Sequence, residues 1–105
     1  MNTLRILIAD DESLRLMSLR EQLEKLGHRV VAEASDGRSA VELARDLRPD
    51  LAIMDIKMPG MDGIEAADKI MHERPIPIIL LTAYSEKDLA ERAARVVLAR
   101  EHQER

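Results

Sequence analysis

The chain has 105 residues, of which 46% are hydrophobic and 34% are charged, a composition typical of one globular domain. Its net charge of −4 argues against a nucleic-acid-binding surface, which normally carries excess positive charge. The absence of cysteine excludes a disulfide framework, a thiolate metal site and a cysteine nucleophile. No apolar run approaches the length of a membrane span, and the start of the chain does not resemble a signal peptide. We therefore expect a cytoplasmic protein.

The chain begins with a predicted strand and a predicted helix. Residues 4–10 form a short, β-branched apolar run that ends at an acid pair, which is typical of a strand buried on both faces. Residues 12–27 predict a helix that stops at Gly27. The residues that we expect to form its apolar face are Leu14, Leu16, Met17, Leu19, Leu23 and Leu26.

The next two predicted elements follow the same order. Residues 28–34 alternate between polar and apolar side chains and predict an edge strand. Residues 35–50 predict a helix that opens at Ser35 and Asp36 and is closed by Pro49. The residues on its apolar side are Ala40, Val41, Leu43, Ala44 and Leu47.

The second half of the chain repeats this pattern. Residues 51–55 predict a third strand, which is apolar up to its final aspartate and is followed by a Met-Pro-Gly turn. Asp62 and Glu65 resemble a capping box, which predicts a helix from there to about Glu73. The remaining predicted elements are a strand at residues 75–82 and a helix at residues 85–105.

Strands and helices that alternate with short loops predict an α/β fold, with a parallel sheet, helices on both faces and right-handed crossovers. Ligands of such sheets bind beyond the carboxyl ends of the strands. The first strand ends at Asp10 and Asp11, the third at Asp55 and the fourth at Thr82. These side chains are therefore predicted to meet in one acidic pocket.

Clustered carboxylates raise one another's pKa, and a hard divalent cation such as Mg²⁺ relieves their repulsion. An aspartate beside Mg²⁺ can also act as a nucleophile toward a phosphoryl group, and Thr82 could then hydrogen-bond to the new phosphoryl oxygen. In the alternative interpretation, Asp10 and Asp11 cap the following helix, Thr82 is only a turn residue and Lys57 is a solvated charge.

Three segments together resemble the receiver domain of two-component response regulators. They are ILIADDE with Asp10 and Asp11, DIKMPGMDG with Asp55, Pro59, Gly60 and Gly63, and PIILLTAY with Thr82 and Tyr84. The match covers residues 4 to about 94. The segment LTAYSEKDLAERA is most similar to receivers joined to ANTAR-type RNA-binding antiterminator domains. The resemblance implies a flavodoxin-like, doubly wound parallel sheet with strand order 2-1-3-4.

The resemblance also implies a role for each residue of the pocket. Asp55 would accept a phosphoryl group from a sensor histidine kinase and would help to bind Mg²⁺. Asp11 would be a direct Mg²⁺ ligand, Asp10 would assist through water, and Lys57 would contribute its backbone carbonyl. The switch residues would be the hydroxyl of Thr82 and the aromatic ring of Tyr84.

The end of the sequence departs from the family pattern. Receivers continue with a fifth strand, a lysine at its end and a fifth helix, whereas no lysine follows Lys87 in this chain and residues 95–105 read as an extension of the last helix. We therefore expect the receiver-like domain, residues 1–94, to lack the fifth strand and fifth helix and to be impaired in phosphotransfer. The edge of the fourth strand and the last helix would be exposed, which favours a homodimer.

The leading hypothesis is a phosphoacceptor signalling domain that is not an enzyme and has no direct nucleic-acid or membrane partner. Three alternatives stay open. The first is a dimerisation or interaction module that works without phosphorylation, and the second is a truncated fragment. The third is a phosphatase of the haloacid dehalogenase type, which would need a D-x-D motif where this chain has Asp55, Ile56 and Lys57.

Overall fold

A computed structural model of the chain describes residues 3–81, in which strands and helices alternate strictly. The strands are β1 (Arg5–Ala9), β2 (Arg29–Ala34), β3 (Leu51–Asp55) and β4 (Ile78–Leu81). The helices are α1 (Ser13–Lys25), α2 (Gly37–Leu47) and α3 (Gly63–Glu73). Within this range, no helix has the length and apolar character needed to cross a membrane.

The four strands form one parallel sheet in the order β2-β1-β3-β4, which confirms the predicted α/β fold and strand order. In the register of the two central strands, Ile8 lies opposite Ile53 and Ala9 opposite Met54. On the other side of β3, Asp55 lies opposite Leu81. The carboxyl ends of β1, β3 and β4 therefore reach the same edge of the sheet, which we call the carboxyl rim.

Each face of the sheet carries its own apolar cluster, because successive strand residues point to opposite faces. The cluster beneath α2 and α3 contains Leu7, Ala9, Met54, Ala40, Ala44, Ala66 and Ile70, among others. The cluster beneath α1 contains Ile6, Ile8, Ile53, Val30, Leu16 and Leu23. Since both faces of β1 and β3 are covered, these two strands need the continuous apolar runs that the sequence shows.

The predicted apolar face of α1 is wrong in part. Leu16 and Leu23 are buried against the sheet, whereas Leu14, Met17 and Leu26 are exposed in the described structure. Each residue turns a helix by about 100°, so Leu14 and Met17 lie away from the stripe that joins Leu16 and Leu23. By contrast, the predicted face of α2 is confirmed, since all five of its residues lie in or against the core cluster.

The predicted helix starts at Asp36 and Asp62 are confirmed. The carboxylate of Asp36 accepts a hydrogen bond from the backbone N–H of Ser39 at 2.8 Å, and that of Asp62 accepts one from Glu65 at 2.9 Å. Each bond satisfies an N–H group that the first turn of a helix leaves without an intrahelical partner.

Strand β4 begins later than predicted, at Ile78 instead of residue 75. Proline has no N–H to donate to a ladder, so Pro75 and Pro77 cannot start regular pairing. The carbonyl of Pro77 still accepts a hydrogen bond from the N–H of Ala52 at 3.1 Å, which ties the segment to β3.

Several predictions concern residues outside the described range of 3–81. They are the roles of Thr82 and Tyr84, the helix at residues 85–105, the boundary at residue 94 and the lack of a fifth strand and fifth helix. Within the described sheet, β4 is an edge strand on which Ile79 and Leu81 are exposed. The homodimer predicted at this edge stays a prediction.

Candidate functional site

Three aspartates meet at the carboxyl rim. Asp55 is the last residue of β3, and Asp10 and Asp11 directly follow the neighbouring strand β1. One carboxylate oxygen from each of the three residues lies within 4.8 Å of the others. The predicted meeting of these three carboxylates is therefore confirmed, and we call the cluster the acid pocket.

The three carboxylates differ in their exposure to solvent. Asp10 is 5% exposed and Asp55 is 3% exposed, whereas Asp11 lies on the surface. Loss of hydration by burial raises the pKa of Asp55, and the neighbouring charge of Asp10 raises it further. A backbone hydrogen bond from Lys57 and the charge of Arg15 act in the opposite direction and do not cancel the rise in pKa. The charged form of Asp55 is therefore unfavourable in this pocket, and a bound cation would stabilise it.

Asp10 also contributes to the start of α1. Its Oδ1 accepts a hydrogen bond from the backbone N–H of Glu12 at 2.9 Å, while Glu12, the N-cap residue, makes no capping bond with its own side chain. The capping interpretation of the acid pair is thus correct in part for Asp10. The same carboxylate nevertheless lies in the acid pocket, so the two roles do not exclude each other.

Arg15 lies in the first turn of α1 and reaches into the acid pocket, a position that was not predicted from the sequence. Its Nε donates to Oδ2 of Asp10 at 2.8 Å, and its Nη2 donates to Oδ1 of Asp10 at 3.0 Å and to Oδ2 of Asp55 at 3.1 Å. The spacing of four residues between Asp11 and Arg15, at the start of a predicted helix, was the available signal. It places an arginine and an aspartate side by side but does not reveal the contact with Asp55.

The loop after β3 brings the start of α3 close to the end of β3. A Cβ atom on Gly63 would lie 2.1 Å from the carbonyl oxygen of Asp55, so only glycine allows α3 to begin at this distance. The side chain of Lys57 is exposed, in line with the solvated charge of the alternative interpretation. Its backbone carbonyl stays a predicted metal ligand. Met58 is buried in the cluster beneath α2 and α3 and so helps to anchor the loop.

The chemistry of the acid pocket suits a hard divalent cation. All three candidate ligands are carboxylates, and Mg²⁺ prefers oxygen ligands at about 2.1 Å in an octahedral arrangement. Neighbouring oxygens around such an ion lie about 3 Å apart, and opposite oxygens lie about 4.2 Å apart. Because the carboxylate oxygens already lie within 4.8 Å of one another, small side-chain movements would bring them into range.

The family model of the response regulator receiver domain matches residues 6–99 of the chain. The transcriptional regulatory protein PdtaR of Mycobacterium tuberculosis is 55% identical over 89 residues, which are 85% of this chain and 43% of that protein. The chain thus spans less than half the length of this relative. PdtaR is an ANTAR-type antiterminator regulator, in agreement with the resemblance noted for the segment LTAYSEKDLAERA.

Solved structures give the same result. The response regulator domain of Thermotoga maritima CheB superimposes with a TM-score of 0.84 and 35% identity, over 90% of this chain and 73% of that chain. The CheX–CheY–BeF3–Mg²⁺ complex from Borrelia burgdorferi matches with a TM-score of 0.81 and 26% identity, over 88% of this chain and 71% of that chain. The sequence match, the strand order and the acid pocket agree, and the chain belongs to the family of response regulator receiver domains in two-component systems.

Proposed function

We propose that this domain receives a phosphoryl group on Asp55 from a sensor histidine kinase, with Mg²⁺ held by Asp10, Asp11 and Asp55. One observation carries the proposal: a buried carboxylate at the end of β3 lies beside two further carboxylates at the end of β1. Membership in the receiver family supports a signalling role over that of a hydrolase.

In the metal-free pocket, Asp55 is oriented by the hydrogen bonds that it accepts. The backbone N–H of Lys57 and the Nη2 of Arg15 both donate to its carboxylate. In the transfer from acetyl phosphate, an Asp55 oxygen forms a bond to phosphorus while the bond from phosphorus to acetate breaks. Acetate leaves with the electron pair of that bond. When bound, Mg²⁺ would neutralise charge on the oxygens of the transferred group.

The contacts of the carboxylates support different roles for Asp10 and Asp11 at the metal. Both oxygens of Asp10 already accept hydrogen bonds, from Glu12 and from Arg15. Asp11 is exposed and is therefore accessible to a hydrated ion. These contacts favour direct binding by Asp11 and binding through water by Asp10. The Borrelia burgdorferi complex, which contains Mg²⁺, supports the choice of metal.

The remaining parts of the proposal concern residues outside the described range. Thr82 would hydrogen-bond to the new phosphoryl oxygen and Tyr84 would respond to that movement, so that the modification is reported to a partner. The proposal for these two residues rests on the family motif PIILLTAY alone.

The test is the intact mass of the chain after incubation with acetyl phosphate and Mg²⁺. We expect wild type to gain the mass of one phosphoryl group, and Asp55→Asn and wild type with EDTA to gain none. Asp50→Asn is the matched control, because Asp50 lies at the opposite end of β3 and should leave the gain unchanged. Equal modification of Asp55→Asn would contradict the proposal. No gain by a folded protein that binds Mg²⁺ would instead support an interaction module that works without phosphorylation.

A further inference from the structure

We infer that Arg15 is a built-in counter-ion of the acid pocket, which competes with the divalent cation for the carboxylates of Asp10 and Asp55. The inference rests on the proposed function, since it concerns the same metal site. It adds a residue that sets how tightly the site binds metal.

The geometry of Arg15 is that of a cation placed between two strands. Its guanidinium bridges Asp10, which follows β1, and Asp55, which ends β3, with the three hydrogen bonds of 2.8 to 3.1 Å described above. The same Nη2 atom lies 3.8 Å from Oδ1 of Asp11. One guanidinium therefore contacts all three of the proposed metal ligands.

Arg15 differs in this respect from an ordinary surface arginine of the same domain. Arg45 forms a bidentate ion pair with Glu73, with hydrogen bonds of 2.7 and 3.2 Å, but both side chains are exposed. The side chains of Asp10 and Asp55 are only 7% and 4% exposed. Arg15 thus offsets charge that water cannot reach, whereas Arg45 joins groups that water already solvates.

Arg15 and a metal ion cannot both keep their full contacts. A cation that binds the Asp55 oxygen at about 2.1 Å would lie within about 5 Å of a guanidinium bonded to the same oxygen, and two positive charges at that distance repel. Binding of Mg²⁺ must therefore release at least the bond from Arg15 to Asp55. The free energy needed to break this bond lowers the apparent affinity for the metal.

The structure also provides a place for the released guanidinium. The Arg15 side chain is 49% exposed, so it can turn toward solvent without leaving a charge buried. Oε2 of Glu12 lies 3.5 Å from Nε of Arg15 and is itself exposed, so an acceptor is available on the solvent side. The exchange of Arg15 for Mg²⁺ therefore requires a side-chain movement and no change in the strands.

The test is a calorimetric titration of the full chain with Mg²⁺ in the absence of any phosphoryl donor. We expect Arg15→Gln to bind Mg²⁺ about tenfold more tightly than wild type, a factor typical of competition between linked sites. Arg15→Lys keeps the positive charge but cannot make the bidentate contact, so its affinity for Mg²⁺ should lie between those of wild type and Arg15→Gln. Arg45→Gln is the matched control and should bind like wild type. Circular dichroism checks that each variant is folded.

The outcomes separate this inference from the proposed function. If wild type binds Mg²⁺ and Asp55→Asn does not, the metal site is present. Unchanged or weaker binding by both Arg15→Gln and Arg15→Lys would then overturn the role of Arg15 alone. If wild type binds no Mg²⁺, or binds it equally well without Asp55, the proposed function fails and this inference fails with it.

Discussion

The two ends of the parallel sheet use charged residues in opposite ways. At the amino end, the carboxylate of Asp50 accepts a hydrogen bond from the N–H of Arg5 at 2.9 Å. The guanidinium of Arg5 donates to the carbonyls of Leu47 and Arg48, both at 2.8 Å. At the carboxyl rim, as described by residues 3–81, three carboxylates share the guanidinium of Arg15. Within the described part of the chain, each of these charged groups at the amino end has its own partner, whereas negative charge exceeds positive charge at the carboxyl rim.

We interpret this difference as a separation between residues that stabilise the fold and residues that we propose to bind a metal ion. The last carbonyls of a helix have no intrahelical partner and carry partial negative charge, so Arg5 satisfies two of them at the end of α2. At the carboxyl rim, burial and the nearby charge of Asp10 raise the pKa of Asp55, which means that its charged form is destabilised. Three substitutions test this contrast, and their expected effects on stability decrease in the order Gly63→Ala, Arg5→Gln and Asp55→Asn.

The largest effect should come from Gly63→Ala at the carboxyl rim. The new Cβ would lie 2.1 Å from the carbonyl oxygen of Asp55 and 2.9 Å from the Cα of Ile56, both of which belong to the backbone and cannot rotate away. We expect a loss of about 3 kcal/mol in the free energy of unfolding, measured by urea denaturation. A loss below about 0.5 kcal/mol would show that α3 does not need this close approach to Asp55.

A smaller loss should follow from Arg5→Gln at the amino end. The variant removes both hydrogen bonds to the carbonyls at the end of α2, and we expect it to cost about 1.5 kcal/mol in the same measurement. Its affinity for Mg²⁺ should equal that of wild type, because Arg5 lies at the opposite end of β1 from the acid pocket. A change in Mg²⁺ affinity as large as that of Arg15→Gln would contradict the view that residues at the amino end do not affect metal binding.

The smallest effect should be a gain in stability from Asp55→Asn. The amide keeps nearly the shape of the carboxylate but carries no charge, so it removes the repulsion with Asp10 and the unfavourable burial of a charge. We expect a gain of about 1 kcal/mol in the free energy of unfolding at pH 7 in EDTA, as is common where function opposes stability. A loss of similar size would mean that Arg15 already compensates the charge of Asp55 in full.

The gain should depend on pH with a definite sign. The pKa of Asp55 is raised in the folded chain, so the folded state takes up this proton at a higher pH than the unfolded chain does. The destabilisation is therefore complete above the raised pKa. It disappears as the pH falls below the ordinary pKa of an aspartate. Thermal unfolding of both proteins from pH 7 to pH 3 should show their difference shrinking; a difference that grows on acidification would contradict the assigned direction.

The strands and the carboxylates of the site could be predicted because both follow from local pattern and topology. A strand buried on two faces must be a continuous apolar run, and β3 was predicted and found at residues 51–55. Parallel strands also align their carboxyl ends, so the ends of β1 and β3 were sufficient to bring Asp10, Asp11 and Asp55 together.

The apolar face of α1 and the role of Arg15 could not be predicted in the same way. Apolar residues lie almost all around α1, and only its packing on the sheet decides that Leu16 and Leu23 are buried while Leu14 is not. Arg15 and Arg20 look alike in the sequence of this helix. Arg20 pairs instead with Glu24 and Glu33 outside the pocket, a difference that depends on the direction of each side chain.

The most direct measurement is to locate the phosphoryl group on the chain. After incubation with acetyl phosphate and Mg²⁺, borohydride reduces an aspartyl phosphate to a stable alcohol, which tandem mass spectrometry assigns to a residue. We predict modification at Asp55 alone, within the segment LAIMDIKMPGMDG at residues 51–63. Modification of Asp10 or Asp11, with Asp55 unchanged, would contradict the assignment of the end of β3 as the acceptor.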